Sequence, residues 1–269
     1  MEKNVLRQVQ LVQLEIACEV QRICKENNIK FFLDWGTLLG AVRHNGFIPW
    51  DDDLDLGMLR SEYDKFCLIA PKKLNDKYYL QTWHNDPAFA LPFAKVRKRN
   101  TIYQEAKAST TYNNGIFIDI FPYDYALENP NDEKKNKKKC LNLFRMILMK
   151  NNMMPWNECG QINIKKRIGY LGYQIWATQK EREDLIYQYE ELILSSNRGT
   201  TVYAQSGESN RLYVPESFLR EYVDFEFENV QFPCPGNYDL ILKKYYGDYM
   251  KLPPVEEREN RHQIINLKL

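Results

Sequence analysis

An α+β fold, in which a mixed β-sheet is flanked by helices and carries a helical insert, is what the sequence predicts, and three observations predict it. Helical and strand-like periodicities alternate through residues 1–126. A lysine run then opens residues 127–200, where the spacing is helical. Strand formers return over residues 201–269, a segment expected to pack back on the core.

The first element is a helix over residues 4–27, because Val5, Val9, Val12, Ile16, Val20 and Ile23 recur every three or four positions and Asn27-Asn28 ends the run. Residues 29–35 are rich in strand formers, and Gly36-Thr37 then supplies a turn and an N-cap for a short helix over 38–43. Gly46 and Pro49 mark a loop. Residues 51–58 alternate acidic and apolar side chains like a half-buried strand. Further strands are expected over 78–83, 93–97 and 115–121, the last closed by Pro122. After the insert come a short strand over 224–230 and a helix over 240–246.

With 269 residues, 44% of them apolar, the chain can bury a sizeable core. Its 37 Lys+Arg against 36 Asp+Glu leave a net charge of +1, too balanced for a protein that binds nucleic acid by neutralising phosphates. The six cysteines (Cys18, Cys24, Cys67, Cys140, Cys159, Cys234) include no C-x-x-C pair and read as reduced thiols of a cytoplasmic protein. There is no signal-peptide core at the N-terminus and no uninterrupted apolar stretch of the ~18 residues a membrane span needs. Phosphate-binding glycine loops, H-E-x-x-H and G-x-S-x-G are absent, and three histidines leave little for His-based chemistry. Any catalysis falls to carboxylates.

Trp50-Asp51-Asp52-Asp53-Leu54-Asp55-Leu56-Gly57 carries the strongest signal. On a strand, Asp51, Asp53 and Asp55 project to one face, where three carboxylates repel unless a cation sits among them. Hard oxygen ligands suit Mg²⁺ or Mn²⁺. A solvated acidic loop is the plainer alternative, and an EF-hand register is opposed by Leu56 at the position that needs glycine. Asp119 is second, a carboxylate inside an apolar strand that needs a cation or a strong donor. It either completes the metal site or pairs structurally with an arginine. Gly36-Thr37 is third: a strand that ends there and opens a helix offers backbone N–H groups and a hydroxyl to a phosphate. Arg43, Lys95 and Arg97 are candidates to hold a diphosphate beside it.

A strand ending in Gly-Thr, a strand bearing D-x-D and a third strand bearing one Asp make up the layout of the nucleotidyltransferase-like fold. The run from Gly36 through Asn45-Gly46-Phe47-Ile48-Pro49-Trp50 to Asp55 closely resembles the core motif of the LicD family, which also includes the fukutin-related proteins. Gly115 to Pro122 resembles that family's third-Asp strand, and Phe232-Pro233-Cys234-Pro235, Tyr245-Tyr246-Gly247-Asp248-Tyr249-Met250 and Pro253-Pro254 resemble its closing motif. The resemblance covers residues 1–125 and 225–269. It implies divalent-metal-dependent transfer of a phospho-alcohol group, typically phosphocholine from CDP-choline, to a hydroxyl of a cell-surface glycan (teichoic acid, capsule or lipopolysaccharide) or its lipid-linked precursor.

On that expectation Asp53 and Asp55, assisted by Asp51, hold the metal against the donor diphosphate, while Asp119 ligates a second metal or takes the proton of the attacking sugar hydroxyl. Trp35, Trp50, Trp83 and Tyr112 are the aromatic candidates for caging a quaternary ammonium. Two rivals remain, a D-x-D glycosyltransferase using a nucleotide-sugar and a non-catalytic binding protein on the same fold. The insert is the expected site of acceptor or membrane-surface recognition. Lys134, Lys135, Lys137, Lys138, Lys139 and Lys165-Lys166-Arg167 accompany an apolar stripe, Ile164, Ile168, Leu171 and Ile175, that ends at Trp176. That pattern suits a helix lying on anionic lipid at the inner face of the plasma membrane; the plainer alternative is a solvated lysine face on a core-facing helix.

Overall fold

The computed structural model describes residues 2–105, 114–153, 164–195, 199–207, 211–260 and 264–269. Helix α1 (Lys3–Glu26) buries Val9, Ile16, Val20 and Ile23, the stripe that the spacing marks. It leads through β1 (Phe32–Leu33) and α2 (Trp35–His44) to β2 (Asp55–Leu59), α3 (Arg60–Lys73), β3 (Tyr78–Gln81), β4 (Ala94–Lys98), β5 (Ile102–Glu105) and β6 (Phe117–Tyr125). Three helices follow, α4 (Pro130–Lys150), α5 (Ile164–Thr178) and α6 (Arg182–Leu194). The chain closes with β7 (Thr201–Ala204), β8 (Tyr213–Pro215), β9 (Tyr222–Phe227), β10 (Val230–Pro235), α7 (Tyr238–Tyr246) and β11 (Ile264–Lys268).

The main sheet is mixed, in the order β1-β2-β6-β4-β3, with β7 on the far half of β6 and β8 beside it. Its one parallel pair is β2 with β6; the other pairings are antiparallel. Helices α1 and α3 flank it, so the fold is the predicted nucleotidyltransferase-like mixed sheet flanked by helices. Strand β6 is buried along nearly its whole length, which accounts for its mostly apolar sequence.

Several local expectations are corrected. Pro122 does not close the third strand. Its missing N–H falls on the edge of β6 where β4 pairing has ended at Ile120 and β7 pairing begins at Tyr123, and its carbonyl on that edge accepts from Gln205 N at 2.9 Å. The strand expected over 224–230 is instead a hairpin: Glu228 and Asn229 both take positive φ, 54° and 62°, the two-residue turn that suits a right-twisted ribbon. Glu228 is fixed there by Arg7, through two hydrogen bonds, and by Phe47 N. Helix α3 lacks the strong apolar stripe that announces α1, and it is held by the buried Arg60–Asp124 pair at 2.6 Å.

Two buried apolar clusters stand among the described residues. The larger fills the space around the main sheet. The smaller joins Cys140, Leu143, Phe144 and Ile147 of α4 to Leu185, Ile186, Tyr189 and Ile193 of α6, and draws in Trp83, Phe89 and Ala90 from the connection before β4. The five described cysteines are free thiols, and Cys159 lies outside the described residues. No helix among the described residues is long and apolar enough to cross a membrane.

Candidate active site

Strand register assembles the centre. Asp55 pairs with Asp119 across the parallel β2–β6 ladder, and Lys95 pairs with Asp119 across the antiparallel β4–β6 ladder. Side chains directly opposite on neighbouring strands share a face, so two acids and a cation form one row. Lys95 Nζ stands 2.8 Å from Asp119 Oδ1 and 3.3 Å from the centroid of the Phe117 ring. Lys95 is the partner of Asp119 Oδ1, a buried oxygen with no other donor among the described residues. Thus the structural pairing foreseen as an alternative for Asp119 exists, with a lysine in place of an arginine.

The acids before Asp55 do not lie on a strand, contrary to the alternation. β2 begins at Asp55, and residues 51–54 form a loop tied to helix and sheet: Gln10 Nε2 donates to Asp51 O and Gln13 Nε2 to Asp52 O, both at 2.8 Å, and Asp119 N of β6 donates to Leu54 O at 2.9 Å. The loop gathers one carboxylate oxygen each from Asp51, Asp52 and Asp53 within 4.8 Å of one another. Asp52 belongs to the support, since it is wholly buried and its Oδ2 accepts from Tyr103 OH at 3.0 Å. The side chains of Asp53 and Asp55 make no hydrogen bond or ion pair among the described residues. Burial pushes Asp55 well above the usual carboxylate range, and the charges of Asp53, Asp119, Asp51 and Asp34 push it further. Burial also raises Asp119, against the pull of Lys95. An all-oxygen set in which the Asp53 and Asp55 carboxylates have no partner among the described residues fits a hard divalent cation.

Helix α2 holds this loop in place. The residue capping it is Asp34, not Thr37: Asp34 Oδ1 accepts from Trp35 N at 2.9 Å and Oδ2 from Tyr123 OH at 2.8 Å. Burial lifts Asp34 to about 7, against the lowering effect of those two donors. Thr37 Oγ1 accepts from Asp55 N at 2.8 Å, tying the start of β2 to the helix, and its own hydroxyl proton stays free to donate. The first turn leaves the Gly36 and Thr37 N–H groups without intrahelical acceptors. A Cβ on Gly36 would stand 2.6 Å from Asp51 Oδ2, so glycine is what lets that carboxylate approach the turn.

Beside Gly36 and Asp51 opens a cavity of about 510 Å³, walled by Arg43, Trp50, Tyr246 and Tyr249. Arg43 donates to Tyr249 O at 2.7 Å and forms no ion pair among the described residues; burial lowers its pKa, and Arg258 adds to that. Trp50 carries the Arg258 guanidinium 5.4 Å from its ring centroid. Trp35 stacks on Tyr245 at 4.8 Å, with its buried Nε1 unpartnered among the described residues.

Of the residues singled out in the sequence, Gly36, Thr37, Asp51, Asp53, Asp55, Lys95 and Asp119 therefore converge, with Trp35, Arg43 and Trp50 at the margin. Two do not. Arg97 is buried and already engaged, donating to Gln81 Oε1 at 2.5 Å and Gly115 O at 2.7 Å, so it cannot reach a diphosphate. Trp83 packs edge-on against Tyr189 of α6 and donates to Glu190, which removes it from the acidic cluster. Tyr112 lies outside the described residues. Asp34, Gln10 and Gln13 escaped the sequence reading although signals existed: Asp34 stands at the strand-to-helix junction where caps occur, and the glutamines interrupt an apolar helix face.

Residues 28–159 match the family model described as LicD/FKTN/FKRP, nucleotidyltransferase domain. The lipopolysaccharide cholinephosphotransferase LicD of Haemophilus influenzae is 30% identical over 265 residues, 97% of each chain. An uncharacterized protein of Rickettsia typhi, RT0683, is 42% identical over 71 residues, 26% of this chain and 21% of its own. The human ribitol 5-phosphate transferase FKRP is 43% identical over 44 residues, 16% of this chain and 9% of its own.

Proposed function

Because the chain belongs to the LicD family of nucleotidyltransferase domains, we propose that it is a divalent-metal-dependent transferase that moves a phospho-alcohol group, phosphocholine from CDP-choline, onto a hydroxyl of a cell-surface glycan or its lipid-linked precursor. The observation that supports this reading is that Asp55, set beside Asp119 by strand register, and Asp53 of the preceding loop have side chains with no hydrogen bond or ion pair among the described residues. Asp53, Asp55 and Asp119, with Asp51, would hold Mg²⁺ or Mn²⁺. Such an ion supplies charge neutralisation for the transferring phosphoryl group and for the departing nucleoside monophosphate.

The chain's own residues do the positioning. Gly36 N–H, Thr37 N–H and the Thr37 hydroxyl face a donor phosphate at the positive end of α2, and Arg43 adds a cation that forms no ion pair among the described residues. Lys95 draws the Asp119 pKa down against the effect of burial and holds the carboxylate in place. Trp35 and Trp50, with Tyr245 and Tyr246, are the aromatic surfaces left to receive a quaternary ammonium. Acceptor recognition belongs to the insert, residues 127–200, and the working location is inside the cell at the membrane face where a lipid-linked acceptor is assembled.

The test is incubation with Mg²⁺, a panel of CDP-alcohols and UDP-sugars, and glycan precursors, reading the nucleotide released. CMP from CDP-choline is expected. Release from UDP-sugars would point to a glycosyltransferase, and no turnover with any donor would point to a binding protein. Gly36→Ala is a finer probe. Alanine suits the first turn of a helix, so the melting temperature should hold, while displacement of Asp51 should lower turnover roughly a hundredfold. Unchanged turnover would remove Asp51 from the site.

A further inference from the structure

Helix α5 is fastened to the molecule along one side. Tyr173 OH donates to Asn142 Oδ1 at 2.7 Å, Arg145 lies 5.8 Å from the Tyr173 ring centroid, and Ala177 is buried. At 100° per residue, the side opposite Tyr173 and Ala177 presents Ile168, Leu171 and Ile175. These are 66%, 57% and 59% exposed, so the stripe marked by the sequence does not face the core. At the same spacing Lys165 and Arg167 flank that side, and the sequence from 159 to 180 contains no acidic residue, within a chain whose net charge is only +1. Neighbouring α4 adds exposed Lys134, Lys135, Lys138 and Lys139, of which Lys135 is countered by Asp132 at 3.2 Å.

We propose that this outer face of α5 docks the protein on an anionic phospholipid surface, with Ile168, Leu171 and Ile175 at the headgroup boundary and the basic residues over lipid phosphates. A narrow apolar stripe in an acid-free basic segment is the chemistry of an interfacial helix. A second copy of the chain is a poorer occupant, because three side chains fall well short of the ~800 Å² per partner of a stable interface. The proposal rests on the transferase reading for its purpose, to hold the enzyme in the plane of a lipid-linked acceptor; docking itself needs neither donor nor metal.

Sedimentation of the full chain with vesicles tests it. At low salt the protein should pellet with phosphatidylglycerol–phosphatidylcholine vesicles and stay in solution with phosphatidylcholine alone, and raised salt should release it. The variant I168N/L171N/I175N changes only exposed side chains, so it should keep its melting temperature while its vesicle affinity falls at least roughly tenfold. Asp53→Asn protein should pellet like the wild type, which separates failure of transfer from failure of docking. Equal pelleting by wild type and triple variant, or no pelleting with anionic vesicles at low salt, would overturn the proposal. So would a wild-type dimer that the triple variant turns into a monomer, which would assign the face to a second copy.

Discussion

Asp55→Asn is expected to lower turnover by more than about a thousandfold while leaving the fold intact, because a charged metal ligand is worth several kcal/mol to the transition state and a neutral amide of the same size is a weak substitute. The wild-type side chain makes no hydrogen bond among the described residues, so the change sacrifices no structural contact. Its effect on stability should have the opposite sign. Burial and four neighbouring acids raise the Asp55 pKa in the folded state. A group raised in this way favours folding fully below the unfolded carboxylate value, about 4, and that contribution is lost as pH rises through the folded value. Metal-free protein should therefore lose stability from about pH 4 upward, and Mg²⁺ should restore it. Asp55→Asn should flatten this slope without abolishing it, since Asp34, lifted to about 7 by burial, titrates over the same range. Melting temperatures in EDTA and in Mg²⁺ between pH 4 and 8 read both effects. Near-normal turnover, or an Asn variant less stable than wild type in EDTA at neutral pH, would remove Asp55 from the metal site.

The parts of this arrangement that were legible in the sequence are those written in periodicity and in unusual carboxylates. The α1 stripe, the buried run of β6 and the D-x-D segment each break an expectation about where charge or apolar surface belongs, and each marks a real element. What escaped depends on partners distant in sequence. Residues 51–54 alternate like a strand, yet β6 reaches only Leu54, through Asp119 N, and two glutamines from α1 take the Asp51 and Asp52 carbonyls. Lys95 and Arg97 are equivalent in the sequence, two residues apart on one strand face; only the register with Asp119 and the nearness of Gln81 and Gly115 distinguish the cation paired with Asp119 from the one held by an amide and a backbone carbonyl. Asp34 reads as one polar residue at the end of a strand, and its importance emerges only with Tyr123, 89 positions later, bonded to it. Periodicity reports a residue's own environment, whereas a hydrogen-bond partner is a property of the folded chain.

Asp119→Asn should differ from Asp55→Asn in sign as well as in cause. Both should inactivate, since each removes a charged oxygen from the same cluster. Removing a buried charge from a repelling set would by itself raise stability in the absence of metal, but Asp119 is also the partner of Lys95. The side chains are 12% and 5% exposed, respectively, so the amide would leave an ammonium buried against Phe117 and Phe93 without its carboxylate. Breaking one side of a buried pair costs about 3 kcal/mol or more, whereas replacing both sides can be nearly neutral. Urea unfolding should therefore show Asp119→Asn destabilised by about 3 kcal/mol, and adding Lys95→Met should recover most of that loss. The double variant should remain inactive, because restored packing returns no metal ligand. CMP release by that double variant at a substantial fraction of the wild-type rate would make Asp119 a structural residue only. Full stability of Asp119→Asn alone would show instead that the Lys95 ammonium does not depend on it.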